Sequence, residues 1–558
     1  GIIESGTVSA NDILVTTRRD IIMGTDGIAT VLDASNRFLV QSNEGNVDLR
    51  EASVSSANIQ VSAVNGSLLG SGSLTSANDI GITVGADINA ASLSTGGQLT
   101  TVALVGGGSE SLYTVPGSIK VDSYTQGTAQ RFRVEAGNDI SFGQITVPNR
   151  AIQLIAAQTG PGDVFLGTTT GASDIILQGD NVAYTSLNAT TSAISGITIL
   201  ATNGSITGGD ALANFTTDLE AVGGDINIGN LTGGASGGTN LDASGSITVG
   251  ALSGGVVINV NAGGDFTFDT AEAFRTNVNA TNIVGNIIRS LGVTGGAPNT
   301  LAMTATGDIT VGSAIATDTL DLNAGGTLTA DILSAGLTTA ITAGAIDANA
   351  LNSDNIGNVT ASTGNLDIGT VTGGTSVRLE SLSGNVILGD VTTVGNSTIV
   401  ANNGAIDFAN IAARGIGLTA SGDITGTSLT ATNAGANQNI NLVSGGTATV
   451  TTMFANQIVD VDAISANFGN ITGTALVRVA ADDITTGNIT SGGQSILTSA
   501  NGDINSGTIT GTSVSVRANG GGISVLDITG TSMSVIADGN IVTRDLVAAA
   551  GGASDIVV

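Results

Sequence analysis

A single turn recurs along this chain at a nearly constant interval, and that interval restricts the fold more than any other feature. The turn reads Gly, then Asp, Asn or a small residue, then Ile, Val or Leu. In the second half its glycines fall at Gly307, Gly326, Gly344, Gly364, Gly384, Gly404 and Gly422, and again at Gly502, Gly521 and Gly539. An earlier stretch carries it at Gly224, Gly245 and Gly264. Fixed self-similarity at this period marks a repeat architecture. The interior of each repeat is also regular. The apolar residue after the turn is followed five positions later by another, as in Leu366/Val371, Val386/Val391, Ile406/Ile411, Ile424/Leu429, Ile504/Ile509 and Ile523/Ile528. A later apolar pair is spaced by two, as in Val377 and Leu379, Ile416 and Leu418, Val514 and Val516, and Met533 and Val535. A spacing of two is the strand period, and a spacing of five breaks it, so a corner lies between the first two sites.

Each repeat is therefore three short strands and three corners, too small to bury its own apolar face. Stacking repeats covers each coil with the next and builds one continuous narrow core. The expected fold is all-β: a parallel β-solenoid, right-handed by the usual chirality of parallel crossovers. At about 20 residues per coil and ~4.8 Å per coil, the whole chain would make about 28 coils and a rod of roughly 130 Å. A set of β-sandwiches is the rival, but it needs strand signals every ~8–12 residues, and the five-residue step does not fit. The expectation is one continuous solenoid over residues 1–558, with less regular coils over 1–220 and regular ones over 221–558.

Composition removes other classes. Gly is 82 of 558 residues but Pro only 4, which excludes collagen. An apolar content of 41% is too high for disorder. No apolar run approaches the ~18 residues of a membrane-spanning helix. Cys, His and Trp are absent, and Lys120 is the one lysine. Without Cys or His there is no disulfide, no thiolate nucleophile, no Ser-His-Asp triad and no zinc or iron–sulfur site. Avoiding Cys suits a chain that crosses a membrane unfolded, and so points to export. The net charge of −30 opposes nucleic acid and anionic membranes as partners. The opening residues GIIESG have neither a basic start nor an apolar segment, so the chain reads as a mature protein or an internal fragment.

One stretch departs from the repeat. Gly106–Glu135 holds two of the three Tyr, Tyr113 and Tyr124, together with Lys120. Its two strand-like segments flank Pro116-Gly117, which reads as a hairpin turn. The expectation is a hairpin extruded from the wall, with Tyr113, Tyr124 and Lys120 as the binding residues. The alternative is an oversized coil that stays in the wall.

Among polar features, the Asp/Asn turn position is the most regular: Asp139, Asp308, Asn365, Asn385, Asp423, Asp483, Asp503 and Asn540. Stacked carboxylates are the chemistry of a calcium site; the expectation is no cofactor, with calcium the one alternative left open. The same residues also serve turns, by accepting backbone hydrogen bonds. Dilution of the Asp with Asn, Ser246, Thr327, Ala345 and Ala405 suits a turn device better than a metal ladder. Asp460 and Asp462 alternate with valines in VDVDA. They would face outward about 6.6 Å apart, near the carboxylate separation of inverting glycosidases. The bland reading is a solvated strand face or a weak cation site. The segment ITGT recurs at Ile424, Ile471, Ile509 and Ile528. Its Thr pair is expected to straddle a corner and to bond along the ladder rather than form a flat ice-binding face.

Coils such as GNVILGDVTTVGNSTIVANN (Gly384–Asn403) and GDINSGTITGTSVSVRANG (Gly502–Gly520) resemble the secreted bacterial solenoids of the filamentous-haemagglutinin type, with autotransporter passengers as relatives. The chain departs from that pattern in lacking an Asn-Pro-Asn motif near its start, so the resemblance implies an excerpt or a divergent member. It implies a non-enzymatic, secreted or cell-surface bacterial protein that is structural and adhesive. Its partners would be host or neighbouring-cell surfaces or glycans, or copies of itself stacked end to end through uncapped terminal coils. The alternative functions are a subunit of a self-assembling filament or surface layer and, more remotely, a polysaccharide-degrading solenoid.

Overall fold

The computed structural model describes residues 2–3, 6–24, 30–78, 80–95, 99–101, 111–115, 117–126, 131–156, 161–292, 298–432, 437–549 and 555–557. Every regular element among them is a β-strand, and no helix occurs. The chain divides into two compact units, Gly1–Thr281 and Asn282–Val558. Each is a β-solenoid of parallel strands stacked in register.

The coil that begins at Val386 shows how sequence becomes wall. In the strand Val386–Thr393, Val386, Leu388, Val391 and Thr393 are buried, and the alternation breaks at Gly389–Asp390. That break is the corner implied by the five-residue step. The strand Asn396–Ala401 then alternates cleanly, with Ser397, Ile399 and Ala401 inward. Each inward residue lands on its counterpart in the next coil. Leu366, Val386, Ile406 and Ile424 form one column, and Leu379, Ile399, Leu418 and Leu442 form another. All eight have at most 1% of their surface exposed. Full burial of such side chains stabilises by about 1.5–3 kcal/mol each, and β-branched Ile and Val suit the pleated wall. The first unit repeats the pattern, with Ile206, Ile226, Ile247 and Phe266 in one column.

The Asp/Asn turn position is a hydrogen-bonded ladder that links coil to coil. The side-chain oxygen of each ladder residue accepts the backbone N–H of its counterpart on the next coil. In the first unit Asn46 N–H donates to Asp20 Oδ1 at 2.7 Å, Ser67 N–H to Asn46 Oδ1 at 2.8 Å, and Ser246 N–H to Asp225 Oδ1 at 2.7 Å. In the second unit Thr327 N–H donates to Asp308 Oδ1 at 2.7 Å, Ala405 N–H to Asn385 Oδ1 at 2.9 Å, and Gly522 N–H to Asp503 Oδ1 at 2.7 Å. Serine serves as well: Asp225 N–H donates to Ser205 Oγ at 3.0 Å. The ladder explains the recurring glycine. A Cβ on Gly326 would overlap Asp308 Oδ1, and one on Gly502 would overlap Asp483 Oδ1.

The ladder also shows where sequence periodicity failed. Its steps span 18 residues between Asp163 and Asn181 but 31 between Asp87 and Ser118. The corner between Ala189 and Ile197 is longer than the in-register corner between Ala172 and Ile175, yet the strands on either side stay paired, so the early coils look irregular although they pair as the later ones do. Between Gly422 and Gly502 the coils continue through Thr447, Ser465 and Asp483, which align in register without the full glycine signature.

The extruded hairpin is not what the described residues form. Ser111–Val115 pairs in parallel with Phe132–Ala136. Ile119–Gln126 pairs in parallel with Ile88–Thr95 on one side and Ile140–Ile155 on the other. A hairpin would pair Ser111–Val115 with Ile119–Gln126 in antiparallel fashion. The segment is wall because Ile119, Val121 and Tyr124 are inward and stack on Ile140, Phe142 and Ile145. Residues 106–110, 116 and 127–130 of the expected hairpin lie outside the described residues.

Two stability outcomes follow. Ile528 is fully buried, so Ile528→Asp strands a carboxylate in the core and costs several kcal/mol. Thr529→Asp, on the outward side of the same strand, costs about 1 kcal/mol or less. Equal melting temperatures for the two variants would contradict the register. At the ladder, Asp308→Asn keeps the acceptor and leaves stability near wild type, whereas Asp308→Ala loses about 0.5–1.5 kcal/mol. Denaturant titration of the pair checks this.

Candidate ligand-binding wall

The residues singled out from sequence do not come together. Lys120 is exposed on the strand Ile119–Gln126. Tyr113 lies in the strand Ser111–Val115, and its side chain is outside the described residues. Tyr124 is fully buried. Its ring stacks on Phe132 with centroids 4.2 Å apart and meets Phe142 edge-on at 6.5 Å. A ring with no exposed surface is core and cannot anchor a partner. The five-residue step could have shown this, since Tyr124 follows Ile119 by the same interval that separates Leu366 from Val371.

Asp460 and Asp462 also change character. Asp460 is in register with Arg478 on the next coil and forms an ion pair with its guanidinium. That pair gives Asp460 a cationic partner, while Asp462 lies on the exposed face. Sequence proximity hid the partner, which lies one coil away. The ITGT segments occupy two different places. Thr472, Thr490, Thr510 and Thr529 stack in one row, while Thr425 sits on another wall, opposite Thr449. The corner threonines bond to the preceding coil: Thr512 Oγ1 donates to Gly493 O at 2.7 Å and Thr531 Oγ1 to Thr512 O at 2.6 Å. Among the described residues, no three carboxylates gather in an arrangement that could hold a metal ion.

Sequence reasoning missed a different feature, on one wall of the first unit. The strand Thr217–Ala221 turns Asp218 and Glu220 outward, and Gly238–Ala243 turns out Asn240 and Asp242. Val257–Ala262 presents Asn259 and Asn261, and Arg275–Ala280 presents Asn277 and Asn279. Register places these in two parallel columns over four consecutive coils. Every one of them is exposed. Within a column the amides stack: Asn259 Nδ2 donates to Asn240 Oδ1 at 2.8 Å, Asn277 Nδ2 to Asn259 Oδ1 at 2.9 Å, and Asn261 Nδ2 to Asp242 Oδ1 at 3.0 Å. Beside the second column runs an open groove of about 330 Å³, lined by Glu220, Asp242 and Asn261 and by Ala221, Val222 and Ser244 at the corner. The signal was present as four pairs spaced by two, one D-x-E, one N-x-D and two N-x-N, on successive coils. It is visible only once the coil boundaries are known.

The acidic end of this wall has no basic side chain, and the wall's one cation, Arg275, projects from the fourth strand two coils beyond Asp242. Between residues 151 and 274 the sequence has no Lys or Arg. Partial desolvation against the wall, and then the neighbouring Asp242 carboxylate, hold the Asp218 carboxyl above its ordinary value of 3.8. Asp367 in the second unit is raised in the same way, by burial and then by Asp347, its in-register neighbour. Tyr184 is core: its ring fills the space over Gly208, and burial followed by Asp210 raises its hydroxyl pKa.

Comparison with protein-family models, with curated proteins and with solved structures finds no match to this chain.

The raised Asp218 carboxyl sets a pH dependence of definite sign. A carboxyl that is harder to ionise when folded favours the fold fully below its unfolded value, and that contribution is lost as pH rises through the folded value. Asp218→Asn removes the repulsion, so it raises the melting temperature at pH 7. The difference from wild type shrinks to nothing below about pH 3.8, where both side chains are neutral. A constant difference across that range would show that ionisation is not its source.

Proposed function

We propose that this chain is a non-enzymatic, structural and adhesive solenoid of the bacterial cell exterior, which displays binding surfaces on a stiff parallel-stacked wall. The observation that carries this reading is the polar array from Asp218 to Asn279, a repeated and exposed set of hydrogen-bonding groups on a rigid sheet. A wall pinned by backbone ladders holds such groups at fixed spacing, which favours recognition over chemistry. Two further facts support a binding role. The chain has no His or Cys. Asp460, half of the one carboxylate pair that sequence offered for hydrolysis, is already paired with Arg478.

The test is cell binding by the full chain. Fluorescently labelled protein should bind saturably to a panel of bacterial and epithelial cells, appear as single particles in negative stain, and release no reducing sugar from surface polysaccharides. Long fibres with no cell binding would favour a filament subunit instead. Sugar release would make the solenoid an enzyme.

A further inference from the structure

We propose that the Asp218–Asn279 wall and its groove bind a neutral, polyhydroxylated glycan. The proposal rests on the adhesive reading and names the ligand class of that surface. A carboxamide offers two N–H donors and two acceptor sites. Each stacked step between Asn240, Asn259 and Asn277 engages one N–H and one oxygen. Donors and acceptors therefore remain on the outer side, interleaved with the acceptor-only carboxylates Glu220 and Asp242.

That mixture discriminates among ligands. An ammonium or guanidinium only donates, so a basic peptide would satisfy the carboxylates and leave amide N–H groups facing N–H groups. A sulfated, phosphorylated or uronic-acid ligand only accepts at its charged groups. It would meet Glu220 and Asp242 at the end of the wall that has no basic side chain, two coils or more from Arg275, the wall's one cation. A hydroxyl both donates and accepts, and so matches carboxamide and carboxylate alike. The groove of about 330 Å³ is at the small end of ligand pockets. Val222, 52% exposed at its rim, supplies an apolar contact for the C–H face of a sugar ring. The array repeats at the coil spacing over four coils, which suits a ligand that is itself a repeat.

The test is calorimetric titration of the full chain with neutral hexasaccharides of glucose, mannose, galactose and N-acetylglucosamine, alongside heparin hexasaccharide, oligolysine and calcium chloride. At least one neutral hexasaccharide should bind with a dissociation constant below a millimolar. The double variant Asn240→Thr/Asn259→Thr keeps strand-forming residues at both sites. It should weaken that binding at least tenfold, with only the small fall in melting temperature expected from losing two exposed amide hydrogen bonds. Val222→Arg, at an exposed corner, should give a similar loss and guards against a folding defect in the first variant. Unchanged affinity in both variants would overturn the site. A preference for heparin, oligolysine or calcium would overturn the ligand class. If the chain binds cells but no neutral hexasaccharide, the glycan assignment falls and the adhesive reading stands; if it binds neither, both fall.

Discussion

Everything in this molecule depends on the in-register parallel hydrogen bonding of one coil to the next. A parallel ladder places each residue beside the residue one coil away, so every property of a coil meets a similar property in its neighbours. Apolar residues find apolar residues, as Leu366, Val386, Ile406 and Ile424 do. Amides find amides, as Asn240, Asn259 and Asn277 do. The same rule brings like charges together, at Asp347 and Asp367. The stack magnifies whatever a coil contains, favourable or not. This explains why the turn position is rarely the same residue for long. Asn and Ser keep an acceptor for the next N–H, while interrupting a run of carboxylates that would repel at close range.

That logic was largely legible in the sequence for the regular coils. The five-residue step predicted a corner, and the strand Val386–Thr393 bends at Gly389–Asp390. The inward assignments of Ile504, Ile509, Val514, Ile523, Ile528 and Met533 match residues that are at most 2% exposed. The turn-device reading of the Asp/Asn position is what the ladder shows, with an added reason for the glycine beside it. None of this needed long-range information, because in a solenoid the long-range neighbour is the next repeat.

The misreadings share one physical cause. Contacts in this fold run across coils, while motifs are read along the chain. Arg478 is eighteen residues from Asp460 and touches it. Tyr124 looked like a surface anchor because it sits in an unusual stretch, yet its place in the coil is an ordinary inward one. The polar wall from Asp218 to Asn279 went unnoticed for the same reason. Its members are scattered pairs in the sequence and become an array only when strands of successive coils are laid side by side. Its chemistry could have been read earlier by aligning coils on the Asp/Asn ladder instead of on glycine.

The unequal ladder steps have a further consequence. A step of 18 residues and a step of 24 advance the stack by the same single coil, because the extra residues sit at the corner between Ala189 and Ile197 and the next strand resumes in register. Length added at a corner is silent, whereas one residue added within a strand would turn every following side chain to the opposite face until the next corner. Corners are thus the positions at which such a chain can acquire new loops by insertion without refolding its neighbours. The strands between them are closed to insertion and open only to exchange of one outward side chain for another. Diversity in a lineage of such proteins would therefore be written in two separate alphabets, loop length at the edges and side-chain identity on the walls.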